Sequence, residues 1–184
     1  MSEKKLEGAG LRGQVAGKTS LSTVGKAGKG LTYRGYPIEV LSEKAKFEEV
    51  AYLLMYGSLP NKDEYENYSS KLISMRSLPN PILEVLERIP ASAHPMDVMR
   101  TGCSMLGNIE PEGEFSNQQE SADRILATMA SIIVYWYKYS HEGKKVNTSS
   151  DYETIGGHFL SLLHGDEPSE DHIRCLDTSL ILYA

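Results

Sequence analysis

Cysteine is scarce. The chain of 184 residues holds two, Cys103 and Cys175, far apart. Two such thiols make no disulfide framework and suit a reducing compartment. The Cys and His residues form no cluster with the ligand count of a zinc site, so such a site is not indicated. Long apolar runs are missing as well, and no stretch is long enough to cross a bilayer as a helix. The opening MSEKKLEGAG lacks the apolar segment of a secretory leader. A cytoplasmic protein is the resulting expectation. Excess positive charge is also absent: the formal net charge is −6, which argues against a general nucleic-acid binder. There is one local exception. Lys4, Lys5, Arg12, Lys18, Lys26, Lys29 and Arg34 are opposed only by Glu3 and Glu7. Such an arm can meet an anion, but a solvated basic arm is the simpler account.

Signatures of familiar catalysis are lacking too. No Gly-x-Ser-x-Gly elbow occurs. GQVAGKTS approaches a phosphate-binding loop, but Gly13 and Gly17 enclose three residues where the motif needs four. The residues after Lys18–Thr19 are β-like, whereas phosphate binding needs a helix N-terminus there. Five histidines are present: His94, His141, His158, His164 and His172. A helical metal pair requires a spacing of three or four; His158 and His164 are six apart. Structural roles are the expectation for all five, and no metal site is expected. Asp97 and Arg100 have the spacing of an exposed helical ion pair, which contributes little. Lys71 and Arg76 come after a Tyr-rich stripe and are weak candidates for binding an anionic substrate, against the plainer reading of a solvated face.

What is present is a helical pattern. Residues 1–36 are rich in Gly and Thr and read as an arm with one hairpin: a strand over 19–24, a turn over 25–30, a strand over 31–33. From Pro37 onward the period is helical. PIEVLSEKA opens with Pro in the first turn. Phe47, Val50, Ala51 and Leu54 form one face of the next helix, which Gly57 ends. Asn61 and Glu64 have capping-box spacing, and Tyr65, Tyr68, Leu72 and Met75 come next as a buried stripe. Asn80–Pro81 starts a helix through Ile82, Leu86 and Ile89. His94–Pro95 starts another that ends near Gly107–Asn108. The polar NIEPEGEFSNQQE reads as a loop. A long helix from about Ser121 presents Ile125, Met129, Ile132, Ile133 and Trp136. A helical segment, DYETIGGHFLSLLHG, comes next. Ser169 then caps a helix with the face Ile173, Leu176, Leu180 and Tyr183. The fold class is therefore all-α: a multi-helix domain over 37–184, opened by a small N-terminal β-hairpin. Tyr135, Trp136, Tyr137 and Tyr139 crowd one helix end and cannot all point inward. The last helix runs apolar to Ala184 with no capping residue, so the sequence suggests a fragment, or a partner covering that face.

Several stretches together resemble the citrate synthase family. They are LTYRGYPIEVLSEKAKFEEVAYLLMYGSLP and the His-Pro-Met helix ASAHPMDVMRTGCSMLG. IVYWYKYSHEGKKV and IGGHFLSLLHG are similar to its 2-methylcitrate synthase branch in particular. The closing SLILYA looks like the lead into the family's Ala-Glu-His segment. The resemblance runs in order over residues 10–184. It implies a large helical domain of citrate-synthase type and an enzyme that condenses propionyl-CoA or acetyl-CoA with oxaloacetate. In that chemistry an Asp takes a proton from the carbon beside the thioester. One His stabilises the enol, and a second His polarises the ketone. No metal or cofactor is implied, since acyl-CoA is a substrate. By the same resemblance the family's catalytic His and Asp fall after residue 184, so no catalytic residue is assigned in this chain. The resemblance further implies a homodimer, with the helices around Pro95–Leu106 and Ser121–Tyr139 at the interface. Two other readings stay open: a citrate synthase using acetyl-CoA, and a short inactive paralogue serving as an interaction module.

Overall fold

The computed structural model describes residues 17–24 and 30–184. Residues 13–16 of the phosphate-loop mimic, most of the basic arm and residues 25–29 of the Gly-rich turn expected over 25–30 lie outside them. Three two-residue strands, β1 (Ser22–Thr23), β2 (Thr32–Tyr33) and β3 (Tyr36–Pro37), pair antiparallel in the order β1-β2-β3. The third strand goes beyond the single expected hairpin. Arg34 and Gly35 both take positive φ, 49° and 92°, which is the two-residue hairpin geometry that matches strand twist. Arg34 is held there by its own side chain, which donates to the Leu54 carbonyl at 2.9 Å and to Ser20 Oγ at 3.0 Å. Pro37, expected inside the first helical turn, instead ends β3 and caps α1 in extended conformation.

Eight α-helices come next among the described residues: α1 (Ile38–Lys44), α2 (Phe47–Tyr56), α3 (Lys62–Ser74), α4 (Asn80–Leu86), α5 (Pro95–Ile109), α6 (Gln118–Glu142), α7 (Ile155–His164) and α8 (Glu170–Tyr183). Their ends obey local chemistry. Gly57, Gly143 and Gly165 close α2, α6 and α7 in the left-handed region. The Asn61–Glu64 capping box opens α3, with reciprocal bonds of 2.8 and 3.0 Å. His94 opens α5 by accepting from the Met96 amide at 3.2 Å.

Helix α6 is the axis of the fold, and α3, α4, α5 and α7 all pack on it. One core lies between α1, α2, α3, α7 and α8 and includes Leu41, Val50, Leu53, Leu72 and Ile181. A second, built on Ile82, Leu86, Val98, Ile132 and Trp136, joins α4 and α5 to the C-terminal half of α6. α5 approaches α6 closely at Gly102, where a Cβ would lie 2.6 Å from Ile132.

Two expected faces need correction. α6 begins at Gln118, three residues before Ser121, after a single 3-10 turn at Phe115–Asn117. Its buried set is no single stripe. Ile125 is 36% exposed, while Asp123, Ala127, Thr128, Ala130, Ser131, Val134 and Tyr135 are buried. A helix surrounded by four others has core on most sides, and a one-face rule cannot describe it. On α8 the residues expected inside, Ile173, Leu176 and Leu180, are half-buried and Tyr183 is 92% exposed, whereas Asp177 and Ile181 are buried. The stripe is rotated because α8 packs on α7, α1 and α2 with Asp177 against Gly156 of α7 and Ile181 in the core they share. None of the helices described is long and apolar enough to cross a membrane.

Candidate functional site

Polar side chains enter the core at several places, and Lys71 and Arg76 belong to two of them. Lys71, near the end of α3, sits 2.7 Å from Asp123 Oδ2 and 2.6 Å from Glu120 Oε2 on α6. Asp123 is fully buried. It also accepts from the Tyr56 hydroxyl at 2.9 Å and the Tyr68 hydroxyl at 3.0 Å. One carboxylate therefore ties α2 and α3 to α6. Burial pulls the Lys71 pKa down, but the hydrogen bonds to Asp123 and Glu120 outweigh it and leave it raised. Burial and the neighbouring Asp123 push Tyr56 up to about 12. Rings of Tyr52 and Tyr56 stack at 4.4 Å beside this network.

Arg76 lies just past α3 and is fully buried. Its guanidinium donates to the Ser150 carbonyl at 3.3 Å and to the Tyr152 carbonyl. Its own carbonyl accepts from Ser131 Oγ at 2.9 Å. Ser131 Oγ also lies 2.9 Å from His158 Nε2, and Ser150 Oγ lies 2.7 Å from His158 Nδ1. Burial, reinforced by the Arg76 charge, drives the His158 pKa down to about 3. The imidazole is thus neutral across the physiological range and bonded at both nitrogens. It fastens α7 to α6 and to the segment before α7. Lys71 is paired with Asp123 and Glu120, whereas Arg76 forms no ion pair among the described residues and keeps its Nε and Nη2 without a partner in the interior.

The remaining expected positions are scattered. Asp97 and Arg100 pair at 3.0 Å on the exposed side of α5. His141 stacks on Tyr137, with centroids 4.7 Å apart. His164 and His172 lie at the exposed end of α7 and start of α8. The aromatic crowding on α6 resolves inside the chain. The Tyr135 hydroxyl donates to Glu87 Oε1 at 2.6 Å, and the Trp136 indole donates to the Ile89 carbonyl at 3.3 Å. Of these four aromatics Tyr137 alone is exposed, at 39%.

A cavity of about 730 Å³ is an open groove between the end of α3, the outer side of α5 and the first turns of α6. Met75, Cys103, Gly107, Glu110, Arg124 and Ile125 line it. Its cation is committed: Arg124 grips Glu110 with two bonds of 2.8 Å and also donates to the carbonyls of Met75 and Ser77. No group of three or more metal-ligating side chains occurs among the described residues. Asp123 and Ser131 escape a reading of the sequence because each looks like the polar side of an amphipathic helix. A carboxylate in the middle of the α6 pattern, between Ala122 and Ile125, is the signal that points inward.

The sequence profile described as "Citrate synthase, C-terminal domain" matches residues 10–184. The chain is 61% identical over 181 residues to 2-methylcitrate synthase of Shewanella oneidensis, covering 98% of this chain and 48% of that one. It is 32% identical over 183 residues to citrate synthase of Acidithiobacillus ferridurans, covering 95% and 47%. The crystal structure of citrate synthase from Pyrobaculum aerophilum superposes with a TM-score of 0.80 at 31% identity, covering 95% of this chain and 46% of that chain. The chain spans about half the length of the curated relatives it matches.

Proposed function

The chain belongs to the citrate synthase family, and from that premise we propose that the whole protein condenses propionyl-CoA with oxaloacetate and water to give 2-methylcitrate and CoA. The observation that carries this reading is the 61% identity to a 2-methylcitrate synthase. In this reading residues 17–184 are scaffold. They form the helical frame, and the proton-transfer groups come from elsewhere in the protein. The reaction calls on no metal or cofactor, because acyl-CoA enters as a substrate. Two free thiols, one half-buried and one exposed, suit the reducing cytoplasm.

Purified whole protein will show a higher kcat/KM for propionyl-CoA than for acetyl-CoA. One methylene in an apolar pocket discriminates by about 1–3 kcal/mol, roughly 10–200-fold, so acetyl-CoA turnover persists at a lower level. Steady-state assays of CoA release with both thioesters check this. A preference for acetyl-CoA transfers the assignment to citrate synthase.

The same reading makes the whole protein a homodimer that uses the outer side of α5. Met96 there is 63% exposed, and the groove at Cys103 and Gly107 opens beside it. The part of α6 over Tyr135–Trp136 is already covered by α4 within the chain, so α5 carries more of the expected interface than α6. Sedimentation at micromolar concentration will give the mass of two chains. Replacing Met96 and Gly107 by Glu together will shift it to one. A wild-type protein that sediments only as a monomer refutes the dimer.

A further inference from the structure

The first amides of α7 are buried and are met by side chains from three sources. Thr154 Oγ1 accepts from the Gly157 amide at 2.9 Å, as an ordinary N-cap. Glu48 reaches across from α2, and its Oε1 accepts from the Ile155 amide at 2.6 Å. Asp177 comes from α8 and lies against Gly156. A Cβ at Gly156 would sit 2.3 Å from Asp177 Oδ1, so only glycine lets that carboxyl approach. Glu48 is fully buried and Asp177 is 4% exposed. Each keeps one oxygen with no donor, Oε2 of Glu48 and Oδ1 of Asp177.

Two buried carboxylates at one helix end set attraction against repulsion. The α7 amides and dipole favour one negative charge there. A second must overcome desolvation and its like-charged neighbour. A proton on one of the two orphan oxygens removes that conflict and converts an acceptor without a donor into a donor. We propose that Glu48 and Asp177, both set against the N-terminus of α7, retain one proton there and form a pH-sensitive latch joining α2, α7 and α8.

The surrounding charges agree. Burial raises the Glu48 pKa to about 7, with Asp177 adding to the rise, while the Ile155 amide and Arg76 oppose it. Burial likewise raises Asp177, against Thr154, the Gly156 amide, Arg174 on α8 and Lys46 ahead of α2. From α3, Tyr65 and Tyr68 face Glu48, and both hydroxyls are raised by burial and by nearby carboxylates. His158 of α7 stays neutral beside Arg76. No cation forms an ion pair with Glu48 or Asp177 within 4.0 Å among the described residues.

Proton counting gives the sign. A carboxyl whose folded pKa is raised binds more protons folded than open, so its contribution is fully present below the ordinary carboxyl range. It is lost as pH rises to about 7. Native-state hydrogen exchange of the Ile155–Gly157 amides in the whole protein reads this directly. After correction for intrinsic exchange, local opening will increase about tenfold per pH unit between pH 5 and 7. It will level off above that. In Glu48→Gln the slope at the same amides will shrink to the part that Asp177 alone supplies, and in Asp177→Asn the Glu48 carboxyl will titrate lower, as followed by 13C NMR. A flat wild-type profile, or a Glu48→Gln slope equal to wild type, overturns the latch. If Glu48→Gln does not fold, the wild-type 13C titration decides. A Glu48 midpoint in the ordinary carboxyl range overturns the proposal, and one near neutrality that drops in Asp177→Asn upholds it.

Discussion

A polypeptide of residues 1–184 expressed alone will release no CoA from propionyl-CoA or acetyl-CoA in the presence of oxaloacetate. Taking a proton from carbon beside a thioester requires a positioned base, and the enolate that forms requires a donor aimed at its oxygen. The described residues supply neither. His158 is closed off between Ser131 and Ser150 and stays neutral. His94 caps α5, and His141 stacks on Tyr137. Glu48 has the raised pKa of a general base, but it is fully buried and bound to the α7 backbone. Groups that act as a unit fail as a unit, so the loss relative to the whole protein should be on the order of 10⁶-fold or more. The assay tracks free CoA thiol against a no-protein control. Turnover above that control, abolished by an Ala substitution at His94, His158, His164 or His172, would place the chemistry in this half and defeat the reading.

Local rules are enough wherever a helix has one buried side and a chemically marked end. Phe47, Val50 and Ala51 are buried as their spacing requires, Gly57 stops α2, and the Asn61–Glu64 box forms. They fall short where tertiary packing surrounds a helix. The α6 pattern suggests a stripe through Ile125, yet the helix is covered on most sides and Ile125 lies at its exposed edge. On α8, hydrophobicity points to Leu176 and Tyr183, while the partner across the interface, Gly156, selects Asp177. The buried polar contacts are invisible for a related reason. Asp123 reaches residues 52 to 67 positions away, and Glu48 reaches an amide 107 positions away. No spacing rule on one helix carries that information. Family resemblance does identify the fold and the chemistry to expect, because it compares whole stretches rather than periods.

Asp123→Ala will cost the whole protein about 2–4 kcal/mol of folding stability, among the largest effects of any single substitution in this half. Three donors converge on that carboxylate, and they lose it unequally. Lys71 is about a third exposed and keeps Glu120 at 2.6 Å, so its charge stays compensated and the penalty of a fully unpaired buried ion does not apply. Tyr56 is partly exposed and can turn to water. Tyr68 is 4% exposed and cannot; its hydroxyl is left in the core without an acceptor, which costs about 1–3 kcal/mol. The cavity from the removed side chain adds to that. Glu120→Ala is the internal comparison. It removes the exposed partner of the same lysine and will cost less than about 1 kcal/mol. Urea unfolding of both variants separates the two. Tyr68→Phe in the Asp123→Ala background sharpens the test, because deleting the stranded hydroxyl should recover part of the loss. If Asp123→Ala is no more harmful than Glu120→Ala, or if Tyr68→Phe recovers nothing, then α2, α3 and α6 are held by apolar contact and the carboxylate is incidental.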